Sequence, residues 1–501
     1  MENKNIESIK NSRKAGILMP IFSLPSNYGI GTLGKAAYDF VDFLEEAKQS
    51  YWQILPIGPT SYGDSPYQSF SAYAGNPYFI DLDVLVKEGY LEKKDLKNIK
   101  NKNDGNIDYG YLYETRLNVL YKAYENRFSK DKKEFNEFIK DNYELKNYAF
   151  FISLKEHFSM KSWLEWPDED IRRKKPEAVA KYQELLKDRI VFHEYVQFIF
   201  FKQFFALKEY MNKKGIKLIG DIPIYVSPDS SDCWMHSNEF CLDENLIPKV
   251  VSGVPPDYFN EDGQLWGNPI YDWKKMKANG YKWWIERIGA SSKIYDIIRF
   301  DHFRGFESYW SVPYGEETAI NGQWVKGPGM DLLQKLKEWF PNIEFIAEDL
   351  GYHTDEVQAM IDDFGFPGMK VIEFGFDSRE ESDHSPHLYT QNTVCYVGTH
   401  DNSTAIGWLT AADKKDVEFA IKYLGCKDRN EINWDMIRAC MSSVSNTFIC
   451  QIQDYLGLDD SARINIPGTT GHSWKWRLSE TKYSKKLINK IKEYTKMYGR
   501  C

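Results

Sequence analysis

Short apolar runs that recur along the chain, with helix-like segments between them, constrain the fold more than any other feature. They have the length of strands, and several of them end in polar or acidic residues. Strand, helix and strand in succession is typical of a parallel βα unit. Repetition of that unit predicts an α/β fold, a (β/α)8 barrel, whose chemistry lies at the C-terminal mouth of the strands. The predicted strands are residues 15–21, 52–57, 217–226, 295–301, 344–351, 369–374, 393–402 and 462–468.

Two segments between predicted strands are too long for ordinary barrel connections. Residues 60–215, after the second strand, are largely helical in pattern, charged on one face and rich in aromatic residues, which predicts an inserted helical subdomain. Residues 227–290, after the third strand, are punctuated by Gly and Pro as binding loops often are, which predicts an inserted substrate-loop subdomain. Residues 1–501 are therefore expected to form a single catalytic barrel with inserted, mostly helical subdomains.

Charge and cysteine content narrow the functional class. The chain has 64 Lys and Arg against 73 Asp and Glu, a net charge of −9, which argues against binding to nucleic acid or an anionic membrane. The 15 Trp, 33 Tyr and 30 Phe exceed what a core needs and suggest flat platforms for sugars or bases. Seven cysteines without a CxxC pair, and no signal-peptide core or membrane-length apolar run, indicate a cytoplasmic protein with reduced thiols.

The fourth predicted strand carries Arg299 and Asp301, which are two residues apart and therefore face the same way. A guanidinium beside a carboxylate favours the ionised form of that carboxylate. An ionised Asp at the end of a buried strand fits a nucleophile or a metal ligand. A purely structural ion pair would produce the same pattern, so both interpretations remain open on this stretch alone.

Three carboxylates end predicted strands: Asp301 the fourth, Glu348 the fifth and Asp401 the seventh. Closure of a barrel would bring them to one mouth, where their repulsion should raise at least one pKa. A carboxylic acid of raised pKa beside an ionised carboxylate is what a retaining glycosidase-type reaction requires. Arg299 is expected to keep Asp301 ionised, which leaves Glu348 as the proton carrier.

Two other functions remain open on these residues. A divalent-metal hydrolase centre is one, although Arg299 would face the cation and neither HxH nor HExxH spacing occurs. A non-catalytic carbohydrate-binding barrel is the other, although three converging acids make a poor surface for sugar binding alone. The possible metal ligands at strand ends are Asp301, His302, Glu348, His353, His400 and Asp401.

Several single residues fit two roles each. Asp221 fits either an acceptor for substrate hydroxyls or a buried structural carboxylate, and Trp266 fits either a stacking platform or the core. Tyr62 lies in a loop that is expected to be flexible, where it fits either a residue that lines the site or an ordinary surface residue. His302 and His400 flank the acids, which favours substrate hydrogen bonds over a core role.

Four strand-end motifs and three loops also carry a resemblance to a known family. The strand-end motifs are GDIPIYV (220–226), RFDHFRG (299–305), AEDLG (347–351) and GTHDN (398–402). The loops are SYGDSPY (61–67), GVPPDYF (253–259) and GQLWGNP (263–269). Together they resemble the 4-α-glucanotransferases, or amylomaltases, of the α-amylase superfamily, from about residue 16 to residue 477. Phe300, where the family often has Ile or Val, and residues 471–476 depart from its pattern.

The resemblance implies a set of roles and partners. Asp301 would be the nucleophile, Glu348 the acid/base and Asp401 the transition-state stabiliser. A segment of an α-1,4-glucan or malto-oligosaccharide donor would pass to the 4-hydroxyl of an acceptor sugar. No cofactor, metal, nucleic acid or membrane is expected, and the protein would be a cytoplasmic monomer or homodimer. The implied glucan contacts are Tyr62, Asp221, Asp257, Gln264, Trp266, Arg299, His302, Asp349, Asp377, His400 and Asn465.

Overall fold

The computed structural model describes residues 13–61, 63–99, 105–256, 260–351, 354–469, 471–480 and 483–501. Its strands divide into a parallel and an antiparallel sheet. Numbered along the chain, the strands are β1 (Lys14–Leu18), β2 (Tyr51–Gln53), β3 (Lys217–Pro223), β4 (Val250–Val254), β5 (Gln264–Pro269), β6 (Ile297–Asp301), β7 (Ser308–Pro313), β8 (Gln323–Lys326), β9 (Glu344–Ala347), β10 (Gly368–Val371), β11 (Thr393–Tyr396) and β12 (Thr447–Gln451).

Eight parallel strands form the centre of the molecule, in the order β10-β11-β12-β1-β2-β3-β6-β9. The two end strands approach each other, and the N–H of Ala347 at the end of β9 donates to the carbonyl of Pro367, just before β10, at 3.0 Å. The sheet therefore closes into a barrel, and the predicted (β/α)8 fold is confirmed. Because its strands are covered on both faces, they are nearly continuous apolar runs.

Helices surround the barrel and fill the long connection between β2 and β3. The helix Lys187–Lys213 is apolar on most of its faces, since it packs against the helices Tyr109–Lys140 and Tyr143–His157 as well as against the barrel side. The α-helices are Lys35–Glu46, Leu82–Lys87, Tyr109–Lys140, Tyr143–His157, Glu169–Arg172, Pro176–Leu185, Lys187–Lys213, Ser231–Met235, Trp273–Ala278, Lys282–Ile294, Met330–Trp339, Asp355–Phe364, Ala405–Ala411, Lys414–Leu424, Ile432–Ser442, Ile452–Leu456 and Lys485–Met497.

The eighth barrel strand is β12, so the predicted strand at residues 462–468 is wrong. The apolar centre of β12, Phe448 to Cys450, is fully buried, and β12 pairs in parallel with both β1 and β11. Residues 463–468 instead form a loop whose main-chain bonds go to other loops. The N–H of Asn465 donates to the carbonyl of His400, and the carbonyl of Ile464 accepts from Trp474. The alternating polarity of this loop imitates a strand that it does not form.

A second, antiparallel sheet has the order β5-β4-β7-β8 and was not expected from the sequence. β4 and β5 lie between barrel strands β3 and β6, within the segment predicted as the second insertion, so this insertion is not mostly helical. β7 and β8 follow β6. The division into subdomains at 60–215 and 227–290 stays a prediction.

All seven cysteines are free thiols. Within the described ranges, no helix is both long enough and apolar enough to cross a membrane.

Candidate active site

Arg299 lies at the centre of a carboxylate cluster at the C-terminal mouth of the barrel. Its Nη1 atom is 2.7 Å from both carboxylate oxygens of Asp221 and 3.1 Å from Oδ1 of Asp301. The side chains of Arg299 and Asp221 are 3% and 0% exposed, whereas that of Asp301 is 27% exposed. Asp301 is therefore the most exposed member of this cluster.

The register of neighbouring strands explains why Asp221 joins this cluster. β3 and β6 pair in parallel, and Asp221 stands opposite Arg299. Gly220, one residue earlier in β3, packs against the ring of Tyr295. A Cβ atom at position 220 would lie 2.1 Å from that ring, so this close packing requires glycine.

Glu348 follows β9, the other neighbour of β6, and both of its carboxylate oxygens accept main-chain hydrogen bonds. Oε2 accepts from the N–H of His302 at 2.7 Å, and Oε1 accepts from the N–H of Leu350 at 2.9 Å. His302 has a φ of 54°, in the left-handed region that side chains other than glycine seldom adopt. This turn, directly after Asp301, aims the His302 N–H at Glu348 and brings the two acids together.

Burial perturbs both of these acids. It raises the pKa of Glu348 to about 7, against the opposing effects of Arg299 and the two main-chain donors. Burial also raises the pKa of Asp301 well above its usual range; Arg299 opposes this rise, and Asp221 adds to it. Arg299 was expected to keep Asp301 ionised. It lowers the pKa of Asp301 but does not cancel the effect of burial, and its shortest contacts are with Asp221. The expected rise of at least one pKa among the three strand-end acids is present.

A chain of hydrogen bonds crosses the mouth from this cluster to Asp401. The hydroxyl of Tyr67 donates to Oδ2 of Asp221 at 2.8 Å and lies 2.9 Å from Nε2 of His400. Because that hydroxyl donates its only proton to Asp221, its oxygen accepts from His400, which requires the tautomer protonated at Nε2. The same Nε2 is 3.2 Å from Oδ2 of Asp401. Burial lowers the pKa of His400, consistent with a neutral ring.

Aromatic rings reinforce this chain. The rings of Tyr67 and His400 are stacked, with centroids 5.3 Å apart and an interplanar angle of 13°. Trp474 lies against both, at 5.7 Å from Tyr67 and 5.9 Å from His400. These ring contacts therefore hold the side chains of Tyr67 and His400 in one orientation next to Asp401.

The loop at residues 463–465 supports Asp401 from the other side. Nδ2 of Asn465 donates to Oδ1 of Asp401 at 2.6 Å. Arg463 donates to the carbonyl of Asp401 at 2.6 Å and to the carbonyl of Asn465 at 2.8 Å. The Asp401 side chain remains 41% exposed, so it faces the mouth while its position is set from behind.

Trp266 and Gln264 come from β5 and lie beside the strand-end cluster. The rings of Trp266 and His302 meet edge to face, with centroids 4.8 Å apart. The indole Nε1 of Trp266 donates to Oε1 of Gln264 at 3.2 Å. Burial lowers the pKa of His302 to about 4, which leaves its ring neutral. The unpredicted antiparallel sheet thus carries two predicted glucan contacts to the mouth.

Two further predicted contacts, Asp349 and Asp377, follow β9 and β10, and Asp349 adds to the rise in the pKa of Glu348. The Oδ1 atom of Asp349 accepts from the N–H of Met369 at 2.7 Å, a bond that links β9 to β10. Asp377 forms a two-bond pair with Arg379 in the loop after β10, and this bonding lowers the pKa of Asp377 to about 2. Tyr62, Asp257 and His353 lie outside the described residues.

Sequence reasoning missed Tyr67, Trp474 and Arg463. Tyr67 stands in the SYGDSPY loop, which carried the family resemblance, so its signal was present but was assigned to Tyr62. Arg463 was hidden because its loop imitates a strand. Trp474 lies in the 471–476 segment that departs from the family pattern, and no local signal marks it.

The geometry of the donor groups bears on metal binding. No group of three or more His, Cys, Asp or Glu side chains is arranged to hold a metal ion in the part of the chain that the structure describes. Arg299 stands where such a cation would meet Asp221 and Asp301.

The arrangement brings two acids of raised pKa to adjacent strand ends and a third, Asp401, to the opposite side of the mouth. Such a set can supply a nucleophile, a proton carrier and a stabiliser of positive charge. The rings of His302 and Trp266 add an aromatic surface of the kind that contacts sugar rings.

Comparison with known proteins identifies the family. The family model for 4-alpha-glucanotransferases matches residues 19–482. The 4-alpha-glucanotransferase of Clostridium butyricum is 50% identical over 488 residues, covering 96% of this chain and 100% of that protein. That of Streptococcus pneumoniae serotype 4 is 48% identical, covering 97% of each. The amylomaltase of Streptococcus agalactiae, solved in complex with acarbose, has a TM-score of 0.95 and 43% identity, covering 97% of this chain and 99% of that one. The chain therefore belongs to the 4-α-glucanotransferase family.

Proposed function

We propose that this protein transfers segments of α-1,4-glucan to the 4-hydroxyl of an acceptor sugar by a double displacement at Asp301 and Glu348. The observation that carries the proposal is the pairing of these two acids. Glu348 hydrogen-bonds to the main chain of the residue after Asp301, and burial raises both pKa values. A relative of 43% identity was solved with acarbose, which supports a saccharide ligand for the same mouth.

In the first step, the carboxylate of Asp301 attacks the anomeric carbon of the donor. The bond from that carbon to the glycosidic 4-oxygen breaks, and Glu348 gives its proton to the departing oxygen. A glycosyl ester on Asp301 results, with one part of the donor released as a free 4-hydroxyl product.

In the second step, the 4-hydroxyl of an acceptor sugar attacks the anomeric carbon of the glycosyl ester. Glu348, now ionised, takes the hydroxyl proton as the new bond forms, and the carboxylate of Asp301 leaves. Two inversions at one carbon restore the α configuration, so an α-1,4 bond is remade.

The placement of the proton between the two acids decides their roles. Arg299 lowers the pKa of both acids, and we take its direct hydrogen bond to Asp301, at 3.1 Å, to favour ionised Asp301 over ionised Glu348. The reactive state is therefore the one in which Asp301 is ionised and Glu348 holds the proton. The value of about 7 for the pKa of Glu348 keeps a substantial protonated fraction at neutral pH.

Asp401 is proposed to stabilise the positive charge that develops on the sugar ring. Its carboxylate faces the mouth and is held by Asn465 and His400. Preorganised charge of this kind is worth more in the transition state than in the bound donor. Asp221 and Tyr67 are proposed to hold Arg299 and His400 in place around the same ring.

The remaining elements of the proposal concern partners. The substrates are a malto-oligosaccharide or α-glucan donor and a sugar acceptor, and the reaction as written needs no cofactor or metal. A cytoplasmic location and a monomeric or homodimeric state remain predictions. The proposed glucan contacts are Tyr62, Asp221, Asp257, Gln264, Trp266, Arg299, His302, Asp349, Asp377, His400 and Asn465.

Incubation with maltotriose, followed by separation of the products, tests this function. Transfer predicts a ladder of longer malto-oligosaccharides together with glucose and maltose, and D301N should abolish it. Glucose and maltose without longer products would indicate hydrolysis. No change in maltotriose would indicate a binding protein and contradict the proposal.

A further inference from the structure

Arg463 joins the two loops that carry Asp401 and its amide partner. Its Nη2 donates to the carbonyl of Asp401 at 2.6 Å, and its Nε donates to the carbonyl of Asn465 at 2.8 Å. Its Nη1 lies 3.2 Å from the hydroxyl of Ser403. One planar guanidinium therefore hydrogen-bonds to the main-chain carbonyls of both Asp401 and Asn465, and the side chains of these two residues hydrogen-bond to each other.

The loop that carries Asp401 lies beyond the end of its barrel strand, so β-sheet hydrogen bonds do not fix its position and the bonds of Arg463 matter for it. β11 ends at Tyr396, and residues 463–465 form a loop where a strand was predicted. Apart from the bonds of Arg463, the two loops meet through the bond from the N–H of Asn465 to the carbonyl of His400 and the 2.6 Å bond of the Asn465 amide. The position of the Asp401 carboxylate relative to the Asn465 amide therefore depends on few contacts.

Two acids, of which Asp454 is buried, fix the next residues of the same loop. Asp460 accepts from the N–H of Thr404, and Asp454 accepts from the N–H of Ala405, each at 2.8 Å. These bonds hold the chain from Thr404 onwards. Asp401 itself is bonded by Arg463, Asn465 and His400, and its N–H donates to Oγ1 of Thr399 at 3.3 Å. Arg463 also faces the buried Glu373, whose raised pKa it opposes. The guanidinium is therefore charged, half-buried and pointed at the loop.

We propose that Arg463 is a positioning residue for Asp401: it sets the direction of the Asp401 carboxylate without touching substrate. This inference rests on the proposed role of Asp401. A misplacement of a catalytic group by about 1 Å can cost about 100-fold in rate. Lysine cannot reproduce the planar fork that reaches two carbonyls at once, so it should restore the function only in part.

The test compares R463M, R463K and D401N, together with the double variant R463M/D401N, on maltotriose. R438M is the matched control, since Arg438 is also half-buried and donates to a main-chain carbonyl, that of Leu424, at 2.8 Å, away from the mouth. Thermal unfolding midpoints are measured for every variant, so that a loss of folded protein is separated from a loss of rate.

We expect R463M to lower kcat by about 30- to 100-fold with KM changed less than about threefold, and R463K to lie between it and the native protein. In the D401N background, R463M should cost less than about threefold more, because its effect passes through Asp401. R438M should keep kcat within about twofold.

Three results would overturn the inference. The first is native kcat in R463M while D401N has a strongly lowered but measurable kcat, which refutes the positioning role and leaves the proposed function intact. The second is an R463M loss that is equally large with and without Asp401. The third is near-native turnover in D401N, which refutes the proposed role of Asp401 itself and with it this inference.

Discussion

Replacing Arg299 by leucine should destabilise the protein, and the loss should grow as the pH rises. In R299L, Asp221 and Asp301 remain in place, but the guanidinium to which both hydrogen-bond is removed. Arg299 lowers the pKa of both Asp301 and Glu348, so its removal raises both pKa values further. When folding raises the pKa of a carboxyl group, the group does not destabilise the fold at a pH below the pKa that it has in the unfolded chain. The fold loses stability as the pH rises from that value through the pKa of the folded state.

The magnitude follows from the burial of the pair. Removal of one partner from a buried ion pair costs about 3–5 kcal/mol. Unfolding entropy is about 2.1 cal/mol/K per residue, so a chain of 501 residues has about 1 kcal/mol/K. The midpoint of thermal unfolding should therefore fall by about 3–5 °C at pH 8. At pH 5, below the raised pKa of Glu348, the fall should be clearly smaller.

Thermal unfolding of the native protein and R299L between pH 5 and pH 8 measures this. R116L is the matched control, because Arg116 is equally buried but donates to main-chain carbonyls, those of Tyr78 and Tyr28, at 2.8 and 2.9 Å. Its deficit should not depend on pH in this window. An R299L deficit that is the same at both pH values, or absent, would refute the electrostatic reasoning.

Three other predictions concern activity. Since Glu348 must be protonated in the first step and its pKa is about 7, kcat/KM for maltotriose should fall as pH rises through about 7; a plateau to pH 9 would contradict the acid role. Y67F removes a hydroxyl bound to Asp221 and His400 and should lower kcat/KM about tenfold or more, whereas Y182F, which loses a remote bond to Asp168, should not. Exhaustive chelation should leave turnover unchanged, and a loss restored by an added divalent metal would revive the metal-hydrolase alternative.

The chemistry of the mouth was readable from the sequence because each catalytic candidate follows an apolar run. Asp301, Glu348 and Asp401 all stand at or just after barrel strands, where local pattern and fold agree. The partnership of Arg299 with Asp221 was not readable, because it depends on the register between β3 and β6, which are separated by 73 residues of chain from Pro223 to Ile297.

Local pattern also misled where tertiary contacts decide. Residues 462–468 alternate in polarity as a strand does, yet the short run Phe448–Cys450 occupies the barrel position beside β1. The antiparallel sheet was missed because its strands are short, and β4 and β5 each contain a Gly, which single-sequence reasoning assigns to loops. The wrong strand at residues 462–468 is the reason that Arg463 was not predicted as a site residue.

The most direct test of the proposed mechanism is to trap the glycosyl ester and locate it. E348Q, incubated with α-maltotriosyl fluoride, needs no proton for the departure of fluoride in the first step but lacks the base for the second. Digestion and peptide mass spectrometry should then find the added maltotriosyl mass on the peptide containing Asp301, and D301N/E348Q should show none. A label on Asp401 or on another residue, or an unlabelled protein that still releases fluoride at the native rate, would contradict Asp301 as the nucleophile.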